Sequence, residues 1–270
     1  MPAIQVERVS KCFKLVKQRP FLAKEILRRI FQRPSDAENF WALEDVSFIV
    51  DKGESIAVIG VNGSGKSTLL SLIAQTSYPT QGVVRVKGRV GPLLELGAGF
   101  HPDLTGYENI FLNASLLGLA REEIDEKLDS IVEYADIGPF LHSPISTYST
   151  GMKARLGFAV LAHIDPDVLI VDEALSVGDG EFQQKCERTM RDLLAKGTTL
   201  FLVSHDMNTV LDLCPRTIWL EKGRIRAMGE SEKIVQDYLA TWHVQKPEEI
   251  RETDVARAEA VADDPRSKES

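Results

Sequence analysis

Residues 60–68 read Gly-Val-Asn-Gly-Ser-Gly-Lys-Ser-Thr, and glycines at this spacing ahead of a Lys-Ser pair constrain the fold more than any other feature of the chain. The run matches G-x-x-x-x-G-K-[ST], a loop whose glycines let successive backbone N–H groups converge on phosphate oxygens. Such a loop belongs between a strand and a helix, because the helix N-terminus adds its positive end to the cradle. The flanks agree: Ser55-Ile-Ala-Val-Ile59 is a short apolar run of the buried-strand kind, and residues 68–74 continue as a helix. In this arrangement Gly60, Asn62, Gly63, Ser64 and Gly65 form the cradle and Lys66 reaches the β- and γ-phosphates. The Ser67 hydroxyl ligates Mg²⁺, and Thr68 steadies the α/β-phosphate region. A glycine turn matching by accident would not explain why strand, loop, Lys-Ser and helix follow in order.

The rest of the chain alternates in the same manner. Strands are expected over 3–9 and 45–50, with a turn at Asp51-Lys52-Gly53, and 83–90 reads as a hairpin turning near Lys87-Gly88. From about 105 to 163 the pattern is helical. Within that block, 121–134 places Ile124, Leu128, Ile131 and Val132 at helical spacing, 141–150 is a loop, and 151–163 is helical again. Two short apolar strands, 168–172 and 199–203, bracket a helix over 181–195. Residues 217–220 and 224–227 flank a Lys222-Gly223 turn, and a last helix covers 231–242. Strands alternating with helices of 10 to 15 residues predict an α/β fold. That fold is a phosphate-loop NTPase core of mixed parallel sheet flanked by helices, with an antiparallel portion and a helical subdomain inserted at about 100–163.

Composition narrows the function. Thirty-two Lys and Arg against 40 Asp and Glu give a formal charge of −8, which argues against a general nucleic-acid coat, so no nucleic-acid partner is expected. Cys12, Cys186 and Cys214 are far apart and odd in number, as in a reduced, cytosolic protein with no disulfide framework or metal spacing. The first residues show no apolar signal segment, and no run reaches the roughly 18 to 20 apolar residues of a membrane span. Work at a membrane would therefore pass through a partner or the surface. Two segments fall outside the alternating pattern of 1–245. An insertion at about 14–38 is basic: nine Lys and Arg side chains fall between Arg8 and Pro34, with Glu25 the one acid. Its Leu22, Ile26, Leu27, Ile30 and Phe31 recur at helical spacing, which suits a surface helix docked on the sheet or one facing an anionic membrane. Residues 246–270 hold eight acids, five bases and no aromatic residue, the composition of a disordered tail.

Three further positions carry chemistry. Asp172 and Glu173 close the apolar run Val168-Leu-Ile-Val171, at the strand end where nucleotides bind to such sheets. Asp172 is read as a Mg²⁺ carboxylate, direct or through water, and Glu173 as the group that polarises the attacking water. Adjacent buried carboxylates without a cation would cost several kcal/mol. His205, after the run 199–204, can donate to a γ-phosphate or hold the water-positioning carboxylate in place; it can equally be a histidine that merely caps a strand.

Taken together, the set resembles the nucleotide-binding subunits of ABC transporters over roughly residues 3–240. Gly60–Thr68 and Val168–Glu173 resemble the family's two phosphate motifs. Residues 174–179 resemble the loop that reaches the partner subunit, with Asp179 at its acidic position, and His205 matches the switch histidine. Tyr148-Ser149-Thr150-Gly151-Met152 stands where the family has Leu-Ser-Gly-Gly-Gln, keeping only Ser149 and Gly151. The family's glutamine loop falls near 93–100, where this chain has no Gln and Glu95 is the nearest substitute. The segment from Glu95 to Gly106, the signature variant and the basic insertion resemble the branch that exports cell-surface polysaccharides, O-antigens and teichoic acids. The resemblance implies ATP and Mg²⁺ as ligands, and two ATP molecules sandwiched between head-to-tail copies with Ser149 and Gly151 supplied from the opposite copy. It further implies a polytopic membrane subunit as partner, a lipid-linked glycan as cargo, and a peripheral place on the cytoplasmic membrane face. An aromatic ring should lie under the adenine; Phe13 is favoured over Trp41, with Phe40 a third choice. Two other readings stay open: a transporter ATPase for another substrate, and a soluble ABC-type ATPase acting on DNA or ribosomes or a non-enzymatic scaffold. The latter calls for a second cassette or a long coiled coil, and neither is apparent.

Overall fold

The computed structural model describes residues 1–15, 38–93, 99–172 and 180–245. Most of the basic insertion, Glu95, Glu173, Asp179 and the acidic tail lie outside the described residues. The central sheet has six strands in the order β5-β6-β7-β3-β8-β9, formed by Val90–Leu93, Val168–Asp172, Thr199–Val203, Ser55–Ile59, Arg216–Glu221 and Arg224–Glu230 respectively. Neighbours are parallel except β9, which runs antiparallel to β8.

Strands β3, β6 and β7 are apolar nearly throughout because both faces of the sheet are covered. Successive side chains point to opposite faces, so each strand feeds two cores. Ile56, Val58, Val168, Ile170, Phe201 and Val203 face one core. There they meet helix α1 (Lys66–Ile73) and the three-stranded antiparallel sheet β2-β1-β4, built from Glu38–Asp51, Pro2–Leu15 and Gln81–Val86. Phe201 stacks on Phe48 of β2 with ring centroids 6.1 Å apart. Ala57, Ile59, Leu169, Val171, Leu200 and Leu202 face the other core. That core is closed by α2 (Gly106–Leu116), α3 (Arg121–Ala135), α4 (Thr150–His163), α5 (Gly180–Ala195), α6 (Met207–Leu213) and α7 (Ser231–Gln245). Helices α2, α3 and α4 form the helical subdomain. In α3, Ile124 and Ile131 are fully buried while Leu128 and Val132 pack at the margin.

The hairpin expected over 83–90 does not exist. β4 pairs with β1, matching Val84 to Val6 and Val86 to Ile4, whereas β5 pairs in parallel with β6. The chain passes between the two sheets at Lys87–Arg89. The local turn signal is genuine, but its partner is distant: the Arg89 N–H donates to Asp167 Oδ2 at 2.9 Å and the Val168 N–H donates to the Arg89 carbonyl at 3.1 Å. Helix α6 also lies outside the expected pattern. Asp206 starts it, its carboxylate accepting from the N–H groups of Asn208 and Thr209.

Because Phe201 is fully buried between the sheets, Phe201→Ala is expected to cost about 3–5 kcal/mol, read from urea unfolding. A loss below about 1 kcal/mol would contradict a core packed through this ring.

Candidate functional site

The loop between β3 and α1 follows the central strand, at the carboxyl ends of the parallel strands where α/β sheets place ligands. Its path is set by close backbone approach. At Gly60 (φ +153°) an added Cβ would lie 2.2 Å from the Leu220 carbonyl oxygen, and at Gly65 (φ +106°) one would lie 2.5 Å from that of Ala42; no side chain fits at either. The β8–β9 turn braces the loop from outside. The Gly223 N–H donates to the Ser64 carbonyl at 2.9 Å, and the Glu44 N–H of β2 donates to the Gly223 carbonyl at 2.8 Å. Lys66 is buried, and its ammonium donates to the carbonyls of Gly60 (2.7 Å) and Val61 (3.1 Å). The first turn of α1 carries no acidic side chain, so the helix itself does not offset its positive end.

These groups surround a cavity of about 260 Å³. Asn62, Gly63, Gly65, Lys66, Ser67 and Thr68 line it from the loop and helix, Asp172 from the end of β6, and Phe40 and Ala42 from β2. Among the described residues, the lining thus combines the glycine-loop backbone and the Lys66 side chain with the Asp172 carboxylate. That combination suits a polyphosphate held together with a divalent cation. Of the three aromatic candidates, Phe40 lines the cavity. Phe13 stands opposite Phe40 in the β1–β2 register, while Trp41 stands opposite Cys12 and is not among the lining residues.

His205 does not line this cavity. It is exposed and faces a neighbouring one of about 360 Å³, shared with Asp172, Ser204, Asp206 and residues of α5 and α6. Asp172 therefore stands at the junction of the two. The Asp206 carboxyl is held below the ordinary aspartate range, first by the hydrogen bond from the Thr209 hydroxyl and then by the Asn208 N–H. Neither Asp206 nor Thr209 stood out in the sequence. The signal available was an Asp three residues ahead of a Thr at a helix start.

Ser149 and Gly151 lie at the N-terminal end of α4 and line neither cavity. Ser149 is exposed and caps the helix, its Oγ accepting from the Met152 N–H at 3.2 Å. An added Cβ at Gly151 would meet only Ser149 Oγ, at 3.9 Å. Tyr148, by contrast, is buried. Its hydroxyl donates to the Phe140 carbonyl at 2.6 Å, and it packs so closely on Gly106 that a Cβ there would sit 2.1 Å from the phenol oxygen. The tyrosine thus anchors the segment in the subdomain core, while Ser149 and Gly151 stay open to the outside.

A glycine loop of this form after the central strand β3, with an aspartate ending β6 on the far side of β7, defines a phosphate-loop nucleoside triphosphatase. A family model described as ABC transporter matches residues 43–176. Over 240 residues the chain is 46% identical to the O-antigen export system ATP-binding protein RfbB of Klebsiella pneumoniae, covering 88% of this chain and 97% of that one. It is 42% identical over 235 residues to the teichoic acids export ATP-binding protein TagH of Bacillus anthracis, covering 87% of this chain and 42% of that one. Among solved structures, a dimeric ATP-binding cassette in a post-hydrolysis state bound to ADP and Pi matches with a TM-score of 0.65 at 20% identity, covering 84% of this chain and 98% of that one. The chain belongs to the ATP-binding, ATP-hydrolysing subunits of ABC transporters and is closely related to the O-antigen and teichoic acid export ATPases. Among the described residues no helix is long and apolar enough to cross a membrane.

Lys66→Ala removes the one ammonium that lines the cavity among the described residues, and a hydrogen bond to a charged group is worth about 1.5–3 kcal/mol. ATP affinity measured by calorimetry is expected to fall by about 10- to 100-fold. Unchanged affinity would contradict the assignment of this loop.

Proposed function

We propose that this chain is half of a paired ATPase that powers export of a lipid-linked cell-surface polysaccharide, of O-antigen or teichoic-acid type. It would do so at the cytoplasmic membrane face, through a separate polytopic membrane subunit. The observation that carries the pairing is the position of Ser149 and Gly151. Ser149 is exposed and Gly151 half-buried at a helix N-terminus, and neither lines its own chain's phosphate cavity. A second copy placed head to tail would bring them to the γ-phosphate held by the first. The polysaccharide reading is supported by the 46% and 42% identities to O-antigen and teichoic acid export proteins.

Within one site, the loop N–H groups from Gly60 to Thr68 and the Lys66 ammonium hold the β- and γ-phosphates. The Ser67 hydroxyl and Asp172 carboxylate are hard oxygen donors lining one cavity, a set that fits Mg²⁺; Glu95 is the third candidate ligand. Bound Mg²⁺ would neutralise charge on the β- and γ-oxygens. Glu173 orients the attacking water and draws on its proton. His205, entering from the neighbouring cavity, fixes that carboxylate or donates to the γ-phosphate. Phe40 stacks on the adenine from the cavity wall, and Asp179 is assigned to communication between the copies from its place in the sequence. The reaction yields ADP and phosphate, and its rate comes from positioning and from donors already aimed at the transferring phosphoryl group.

Glu173→Gln should keep ATP binding, slow single-turnover hydrolysis by at least about 100-fold, and form pairs by light scattering when ATP and Mg²⁺ are added. Hydrolysis at the parent rate would remove Glu173 from the chemistry, and single chains alone would remove the paired site. Purified from native membranes in ATP, this variant should retain a polytopic subunit and a lipid-linked glycan. A different cargo on that subunit would contradict the polysaccharide reading.

A further inference from the structure

One guanidinium ties the central sheet to the far end of the helix that Ser149 caps. Arg89 immediately precedes β5, and its Nη1 donates to the carbonyl of Ile164, the C-cap residue of α4, at 2.7 Å. Nη2 donates to the Gly118 carbonyl just past α2 at 3.2 Å and lies 3.4 Å from the Glu123 carboxylate in the first turn of α3. One side chain rooted at the edge of the sheet thus reaches all three helices of the subdomain. Its root is fixed as well. The Arg89 N–H donates to Asp167 Oδ2, and its carbonyl accepts from the N–H groups of Asp167 and Val168 at 2.9 and 3.1 Å.

The chemistry suits a clamp. The carbonyls that end a helix carry the negative end of its dipole, which a cation stabilises. The Arg89 side chain is 25% exposed, so its contacts are partly shielded from water. The planar fork lets one residue serve several acceptors with fixed angles, where a lysine offers a single point charge. Lys127 of α3 reinforces the grip, donating to the adjacent His163 carbonyl at 2.7 Å and pairing with Asp165 at 2.5 Å.

The leverage follows from length. Helix α4 has 14 residues and is about 21 Å long at about 1.5 Å per residue. A tilt of roughly 3° about its clamped end therefore moves Ser149 by roughly 1 Å, and misplacement of that order can cost about 100-fold in rate. We infer that Arg89 is a positioning residue for nucleotide-driven pairing, setting the angle at which α4 presents Ser149 and Gly151 to the nucleotide held by the partner copy. This rests on the paired site proposed above.

The test uses Arg89→Ala and Arg89→Lys in the full chain carrying Glu173→Gln. Nucleotide affinity is read with a fluorescent ATP analogue at protein concentrations too low for pairing, and pairing by light scattering across a concentration series in ATP and Mg²⁺. Arg89→Ala should leave the affinity within about twofold while raising the midpoint concentration for pairing at least about tenfold, and Arg89→Lys should fall between. With Glu173 intact, turnover of Arg89→Ala should recover toward the parent at high protein concentration, which a loss of stability alone would not produce. An unchanged pairing midpoint overturns the inference, as does affinity that weakens in step with pairing. Should Arg89→Ala not fold, Arg89→Lys decides in the same way: a shifted midpoint at constant affinity supports the inference, and no shift overturns it. If the Glu173→Gln parent itself fails to pair, the paired site falls and this inference falls with it; if the parent pairs and the Arg89 variants pair equally well, only the inference is lost.

Discussion

The site depends on backbone-to-backbone contact around the loop after β3. Gly60 lies against the Leu220 carbonyl and Gly65 against that of Ala42, so strands from both sheets press on the same few residues. The Lys222-Gly223 turn completes the ring through Ser64 and Glu44. With its path fixed from outside, the loop lines the cavity, and the Lys66 ammonium is held on the Gly60 and Val61 carbonyls. Little remains to be ordered when a phosphate chain arrives, which is how a preorganised electrostatic site avoids reorganisation. The surrounding architecture serves this constraint: two cores pack the central sheet from both faces, and α1 is held between the sheets by Leu69, Leu70, Leu72 and Ile73.

The end of α4 proposed as the second half of the site is built on a different principle. Where the loop is gripped by backbone, the Ser149 end of α4 is held from below, by the buried Tyr148 and its bond to Phe140. The helix is anchored at its far end by Arg89 and Lys127. Replacing an apolar residue by tyrosine in the signature leaves the outward face alone and changes only the anchor. The chain can depart from the family pattern at Tyr148 and keep Ser149 and Gly151 in place, because burial of a phenol is tolerated once its hydroxyl has an acceptor.

Much of this was legible beforehand, for identifiable reasons. The strands 55–59, 168–172 and 199–203 are apolar on both faces and bounded by turns, so composition alone delimits them. The phosphate loop is equally plain, since its chemistry demands glycines and a lysine at fixed spacing. The crossover at Lys87–Arg89 was not legible, because a Lys-Gly turn signal is local while its outcome depends on Asp167, some 80 residues away. The choice among Phe13, Phe40 and Trp41 was hidden for a related reason: which ring faces the cavity follows from the β1–β2 register, which shifts at several irregularities. Arg89 carried no signal either, since two of its three side-chain partners are main-chain carbonyls that any sequence supplies, and the third, Glu123, is 34 residues away.

The central claim, that each site takes its loop from one copy and its Ser149 from the other, is tested most directly by mixing two defective chains. Lys66→Ala spoils the loop and Ser149→Arg spoils the helix end, so each variant alone should hydrolyse ATP poorly. In a mixed pair, one site combines an intact loop with an intact Ser149 from the opposite copy. Hydrolysis by the mixture should therefore exceed that of either variant at the same total concentration. Activity no higher than the average of the two alone would mean that each site is made within one chain, and the account would be wrong.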